Sequence, residues 1–245
     1  MRGFFTLTWT EFKLFLREPA AVFFTLAFPM MLLFVFGSIY GNDPANGFDG
    51  RGSVDISVPG YMGLIVGTTT FMTIPIVISE YRTQGIFRRL RATPLNPLAI
   101  IGAQTTIYLV VTLLGLVLLF VAGKLVYGLL TPVNIPALFL ALIISFLSLA
   151  AVGFLIGSYF KTSRTAQVVG NIVYFPQIFL AGAGMPRELL PDGLRTWTEW
   201  MPMTQTVNII REAWWGNPTN WLSYAYLIAI GVVAAIISMK VFRWE

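Results

Sequence analysis

Six long apolar runs separated by short polar connections set the pattern of this chain: about 20–40, 59–79, 98–123, 137–159, 166–184 and 222–239. Each approaches or exceeds the roughly 20 residues that a helix rising ~1.5 Å per residue needs to cross hydrocarbon. None holds Asp, Glu, Lys or Arg between its ends. Pro29, Pro75 and Pro176 fall inside the runs. They would end helices in water but are tolerated as kinks in lipid, where neighbouring helices satisfy the freed backbone groups. Gly63/Gly67 and Gly153/Gly157 have the four-residue spacing that lets helices approach closely. The pattern predicts an all-α polytopic membrane protein with six transmembrane helices in a single transmembrane domain, 1–245.

The polar connections have structure of their own. Over 4–17, Phe5, Trp9, Phe12 and Leu16 share one side of a helical wheel, and Thr6, Thr10, Lys13 and Arg17 form a polar stripe beside them. A basic helix with aromatic residues opposite lies in the bilayer interface, and Pro19 ends it. No small-residue cleavage site follows, so this segment is expected to be retained. Residues 80–97 form a strongly basic hinge in which Arg82, Arg88, Arg89 and Arg91 outnumber Glu80. A helix there carries a small apolar face of Ile86, Phe87 and Leu90; Gly85 loosens its start, and Pro94 and Pro97 stop it. That face either lies on lipid or docks on a soluble partner. The connection 41–58 is rich in Gly, Asp and Asn and reads as turns. The connection 185–221 is long and holds Trp197, Trp200, Trp214 and Trp215. Its prolines divide it into short external helices, about 194–200 and 203–214, that dip into the membrane without crossing. Arg211 and Glu212 argue against a seventh span there.

Charge sets the orientation. With the N-terminus inside, the inner segments hold eleven Lys and Arg and the outer ones five. Both termini are therefore expected on the cytoplasmic side, in a multi-pass protein of the cell (cytoplasmic or inner) membrane. At 56% hydrophobic and 11% charged residues, the 245-residue chain has no room for a large soluble domain. A net charge of +5 reports topology, and no nucleic-acid partner is expected. Cys and His are absent, which removes thiol nucleophiles, imidazole bases and the usual zinc and haem ligands. Gly123-Lys124 lacks the surroundings of a phosphate-binding loop. Charge-free spans disfavour an ion-coupled carrier or channel. What remains is a membrane machine powered by another chain.

Three pieces together carry a family resemblance. The interface segment ends in Arg17-Glu18-Pro19, and residues 80–95 read EYRTQGIFRRLRATPL. FLAGAGMP at 179–186 is followed by Leu190-Pro191, then WMPMT at 200–204, then Arg211. The chain resembles, over its whole length, the membrane-spanning (permease) subunit of a type-2 ATP-binding-cassette (ABC) exporter of the antibiotic-resistance or polysaccharide and lipid export kind. Ala181 departs from the family's usual Ser, and Met201-Pro202 from its usual pair. The resemblance implies two permease copies, expected as a homodimer, and two copies of an ABC ATPase subunit. It implies that ATP and magnesium are bound by the partner and that this chain has no cofactor, no metal site and no catalytic residue. Gly85, Ile86, Phe87, Arg88, Arg89 and Leu90 would form the coupling helix that docks the ATPase.

Cargo must pass between spans. Asn171, Tyr174 and Gln177 recur every three residues, with Phe175 and Phe179 beside them, and the second run adds Thr69 and Phe71. Uncharged hydrogen-bonding groups among aromatics suit an amphiphilic drug-like molecule or a lipid. Asn171 and Gln177 otherwise bond across helices at a dimer seam. The expected function is outward transport of such a cargo. A non-transporting membrane anchor or sensor for an ATPase, and a lipid-modifying membrane enzyme, are the competing readings.

Overall fold

The computed structural model describes residues 9–10, 12–13, 15–44, 50–87, 97–160, 162–182 and 191–241. Among them the secondary structure is helical: α1 over 19–40, α2 over Ser53–Thr83, α3 over Pro97–Tyr127, α4 over Ile135–Tyr159, α5 over Ser163–Leu180, α6 over Asp192–Thr198, α7 over Pro202–Trp215 and α8 over Trp221–Val241. Helix α2 is the axis of the bundle, with nearly every side chain buried, and α1, α3, α4, α5 and α7 all pack on it. Helix α8 is held chiefly by α4.

Both α1 and α2 contain a π-helical stretch, Phe23–Ala27 and Thr68–Thr73. The second has a local cause. Ile74 donates its N–H to the Thr69 carbonyl, one residue beyond the α register, and Pro75 has no N–H to give. The Thr70 and Phe71 carbonyls thus lose the donor that Pro75 would have supplied. The threonines respond by turning inward: the hydroxyls of Thr68, Thr69 and Thr70 bond the carbonyls of Leu64, Ile65 and Val66 at 2.9–3.1 Å.

Neighbouring helices close over the same carbonyls. A Cβ added to Gly153 of α4 would lie 2.0 Å from the Thr70 oxygen, and one added to Gly170 of α5 would lie 2.2 Å from the Phe71 oxygen. Only glycine permits this approach, which brings its Cα hydrogens onto these oxygens. The pairing expected at Gly153/Gly157 is thereby realised, with Gly157 set against Ile78 and the Pro75 carbonyl. Gly63 and Gly67 admit Val207 and Met203 of α7, and the Tyr174 ring of α5.

Five helices are long and apolar enough to cross a membrane among the described residues: Phe23–Tyr40, Ser53–Thr83, Ile101–Tyr127, Ile135–Tyr159 and Trp221–Val241. The fifth expected span, about 166–184, forms a helix, α5, of 18 residues, but Arg164, Gln167, Asn171 and Gln177 dilute its apolar character below that of the other five. Helix α2 starts at Ser53, ahead of its apolar run, where the Gly52 N–H donates to the Asp55 carboxylate at 3.3 Å and the Asp55 N–H donates to the Asn42 side-chain oxygen at 3.1 Å. Asp55 is buried, and its other oxygen accepts from the Leu130 N–H at 2.9 Å. It ties the start of α2 to the end of the α3 segment.

The short helices of the long connection form as α6 and α7. At 14 residues, α7 spans about 21 Å, too little to cross a bilayer core of roughly 30 Å. Its apolar side is sunk against α2 and α4. Of the interface segment, the described residues are helical around Trp9–Leu16. Its inward anchor is Phe15, which is buried, whereas Trp9 and Leu16 of the expected apolar side are exposed.

Candidate functional site

The end of α2 that carries the basic hinge is fastened to the end of α4. A helix leaves its last carbonyls without intrahelical donors. Arg82 supplies them: its guanidinium donates to the Ser158 carbonyl at 2.6 Å and also to the Phe160 carbonyl. Ser79 adds a hydroxyl to the Phe160 carbonyl at 3.3 Å. Arg82 was expected as one of four loop cations that fix topology; here it is a side chain that joins two helices. From α4 the connection continues to α8, where Ser158 and Ser238 hydroxyls lie 3.3 Å apart and Gly231 lies against Ser148.

Beyond Thr83 the chain turns at Gly85, whose φ of 66° suits glycine, and Ile86 and Phe87 resume a helical course. Phe87 is 2% exposed and packs edge-on against Tyr81 with ring centroids 5.8 Å apart. Its ring is turned into the chain, so Ile86 and Phe87 do not present a single outward apolar face. Arg88, Arg89 and Leu90 lie outside the described residues.

A cavity of about 280 Å³ opens beside this turn, lined among others by Phe15, Glu18, Glu80, Tyr81, Gln84 and Tyr108. It gathers the interface segment, the end of α2 and α3 around two carboxylates. Burial raises the Glu18 carboxyl above the usual carboxylate range, and the nearby Glu80 charge raises it further. The Arg17-Glu18-Pro19 and Glu80-Tyr81 strings were visible in sequence, but their meeting was not, because it depends on how the interface segment docks.

The expected transport residues divide into two sets. Thr69, Phe71, Tyr174 and Gln177 are buried among helices of this chain. Thr69 accepts from the Thr112 hydroxyl at 3.2 Å. The Tyr174 hydroxyl donates to the Leu64 carbonyl at 2.8 Å and lies 2.5 Å from the Thr68 hydroxyl. Gln177 accepts the Met203 N–H at 3.2 Å, which caps the start of α7, and donates to the Val173 carbonyl at 2.8 Å. Phe175 and Phe179 are exposed, on a stripe of α5 with Val168 and Ile172. Asn171 is half-buried, and its side-chain oxygen finds no hydrogen-bond partner among the described residues. The first set therefore holds helices together; Phe175 and Phe179 face outward, and the Asn171 side-chain oxygen is buried.

An all-helical bundle with several membrane-length apolar helices, one axial helix and a fastened polar turn at its end defines a polytopic membrane protein. The chain belongs to the ABC-2 type transporter family, whose model matches residues 2–215. It is 24% identical over 236 residues to "Putative transport permease YvfS" of Bacillus subtilis (strain 168), across 95% of this chain and 94% of that protein. The family is a membrane transport component and implies an ABC ATPase as its partner.

Proposed function

We propose that this chain is the permease subunit of an ABC exporter, moving an amphiphilic drug-like molecule or a lipid outward on the power of a separate ATPase docked at residues 80–97. The observation that carries the reading is the fastening of the basic turn to two helices at once. A force applied to this turn reaches α2 directly and α4 through Arg82, and α4 passes it to α8 through Ser158 and Gly231. Packed elements joined in this way move as a rigid body. In the proposed topology α5 is the fifth of six spans, and both termini and the turn face the cytoplasm. Gly85, Ile86, Arg88, Arg89 and Leu90 make the contact with the ATPase, while Phe87 holds the turn against Tyr81.

The exposed stripe Val168, Ile172, Phe175 and Phe179 is proposed as the surface where a second copy and the cargo meet. Its aromatic and aliphatic groups match the apolar part of an amphiphilic cargo. ATP and magnesium belong to the partner in this scheme. Affinity purification of the chain from its native membrane in mild detergent tests the reading. Recovery of an ATP-binding subunit at equal stoichiometry is expected; its reproducible absence with the chain still folded refutes the docking turn.

A further inference from the structure

A second cavity lies away from Arg82, beside the start of α7, whose Met203 packs on Gly67 near the middle of α2. The α7 helix that follows it packs Val207 on Gly63, in the first half of α2, and Arg51 covers the Trp215 ring at 3.9 Å. This cavity, about 290 Å³, is bounded by the connection between α6 and α7 and by the start of α8. Its lining includes Glu199, Trp200, Gln205, Asn208, Asn220 and Tyr226, and no lysine or arginine among the described residues.

The walls are held in place. The Tyr226 hydroxyl donates to the Trp200 carbonyl, and the two rings meet nearly edge to face, 6.4 Å apart at 65°. Gln205 gives its amide N–H to the Glu199 carbonyl, which leaves its side-chain oxygen as an acceptor. Asn220 donates its backbone N–H to the Glu212 carboxylate at 2.9 Å, so a second negative charge stands at the rim. Trp200 remains 73% exposed although it anchors Tyr226. Trp197 and Trp221 are exposed beside it, as in the aromatic belt of a membrane interface.

Carboxylates, aromatic faces and amide oxygens without a balancing cation select against anions. Ring faces attract a cation within about 6 Å, and the carboxylate adds a charge-assisted hydrogen bond to any N–H it carries. The volume is at the lower end of the roughly 300–1,000 Å³ that holds drug-sized ligands, so a headgroup-sized amine fits and a larger cargo does not. We propose that the cavity between the α6–α7 connection and the start of α8 binds a primary ammonium group, with Glu199 as its counter-ion and Trp200 and Tyr226 as its aromatic walls. The group comes from an ethanolamine-type lipid headgroup in the adjoining interface or from a soluble amine.

The test uses the full chain in nanodiscs of choline lipid, with phosphatidylethanolamine or phosphatidylglycerol added at equal amounts and retained lipid counted by native mass spectrometry. Both lipids carry a phosphate, so the comparison isolates the ammonium against a neutral diol. At least tenfold preferential retention of phosphatidylethanolamine is expected, falling fivefold or more in Glu199→Gln and in Trp200→Ala. Equal retention of the two lipids by the unaltered chain overturns the proposal without reliance on any variant, and so does undiminished preference in Glu199→Gln. Soluble ethanolamine then distinguishes the sources. Displacement of the lipid at millimolar concentration shows that the ammonium alone suffices; specific retention without displacement assigns the site to the lipid headgroup.

Discussion

Replacing Gly153 by Ala tests the closest helix contact in the bundle. The added methyl would sit 2.0 Å from the Thr70 carbonyl oxygen, where ordinary contact begins at 3.4 Å. The obstacle is backbone, so no rotamer change relieves it, and α4 must withdraw from α2 by about 1 Å or more at a cost of ~1–3 kcal/mol or beyond. At roughly 2–4 °C per kcal/mol for a chain of this size, the thermal midpoint should fall by roughly 2–12 °C. The assay is thermal unfolding of the purified chain in one detergent, followed by tryptophan fluorescence. Gly170→Ala, at 2.2 Å from the Phe71 oxygen, should behave similarly. Gly102→Ala meets nothing within 4 Å and should be neutral or up to ~1 kcal/mol stabilising through helix propensity. If Gly153→Ala and Gly102→Ala unfold at the same temperature, the reasoning about the π-helical stretch is wrong.

Arg82→Gln removes the charged donor from two helix-end carbonyls, and a loss of about 2–3 kcal/mol is expected, since hydrogen bonds from charged groups contribute ~1.5–3 kcal/mol; the thermal midpoint reads it, and no change refutes the fastening. Glu18→Gln should stabilise the chain near neutral pH. The folded-state pKa of Glu18 is raised, so folding favours the protonated form, and the stabilising contribution of that proton is lost as pH rises through the folded pKa. The advantage of the variant should accordingly shrink as pH is lowered, and a constant difference between pH 4 and 8 would contradict it. Single cysteines at Ala92 and Gly193, in a chain with no native Cys, should label from opposite sides of the membrane. Ile172→Cys should cross-link two copies if the exposed α5 stripe forms their seam, and a strictly monomeric product refutes that seam.

Most of the architecture was legible because lipid imposes a simple rule on sequence: a span must be apolar for about 20 residues. The short helices α6 and α7 were legible from prolines alone, since Pro191 and Pro202 stand at their starts. Less legible was what the polar residues do. Tyr174 and Gln177 read as cargo contacts, with a bond across a dimer seam as the alternative for Gln177, because spacing places them on one stripe without saying what that stripe faces. They turn to α2 and α7, and the outward side belongs to Val168 and Ile172, which no polar signal marks. Arg82 was hidden by its company: among four arginines in a basic turn, nothing in the string distinguishes the one that reaches the Phe160 carbonyl. Asp55 was hidden by its place ahead of the apolar run, in a Gly-, Asp- and Asn-rich connection that reads as turns.

The positions of Arg82 and Pro75 bear on how a docked partner can act. Below Pro75, the end of α2 is tied to α4 by charged hydrogen bonds. Just above it, over Thr68–Thr73, α2 is π-helical, and the Thr70 and Phe71 carbonyls lie against Gly153 of α4 and Gly170 of α5. Contacts of that kind contribute ~0.5–1 kcal/mol each, less than a backbone hydrogen bond gains in a low-dielectric interior. The helix is thus firm where a force enters and softer two turns further on. A push at residues 80–87 should therefore bend α2 around 68–75 while α4 and α8 follow its lower half. The upper half stays with α7 through Gly63 and Gly67, and with the α3 segment through Asp55. A rigid lower half and an anchored upper half joined at a π-helical stretch are what a bundle needs to open at one face and close at the other.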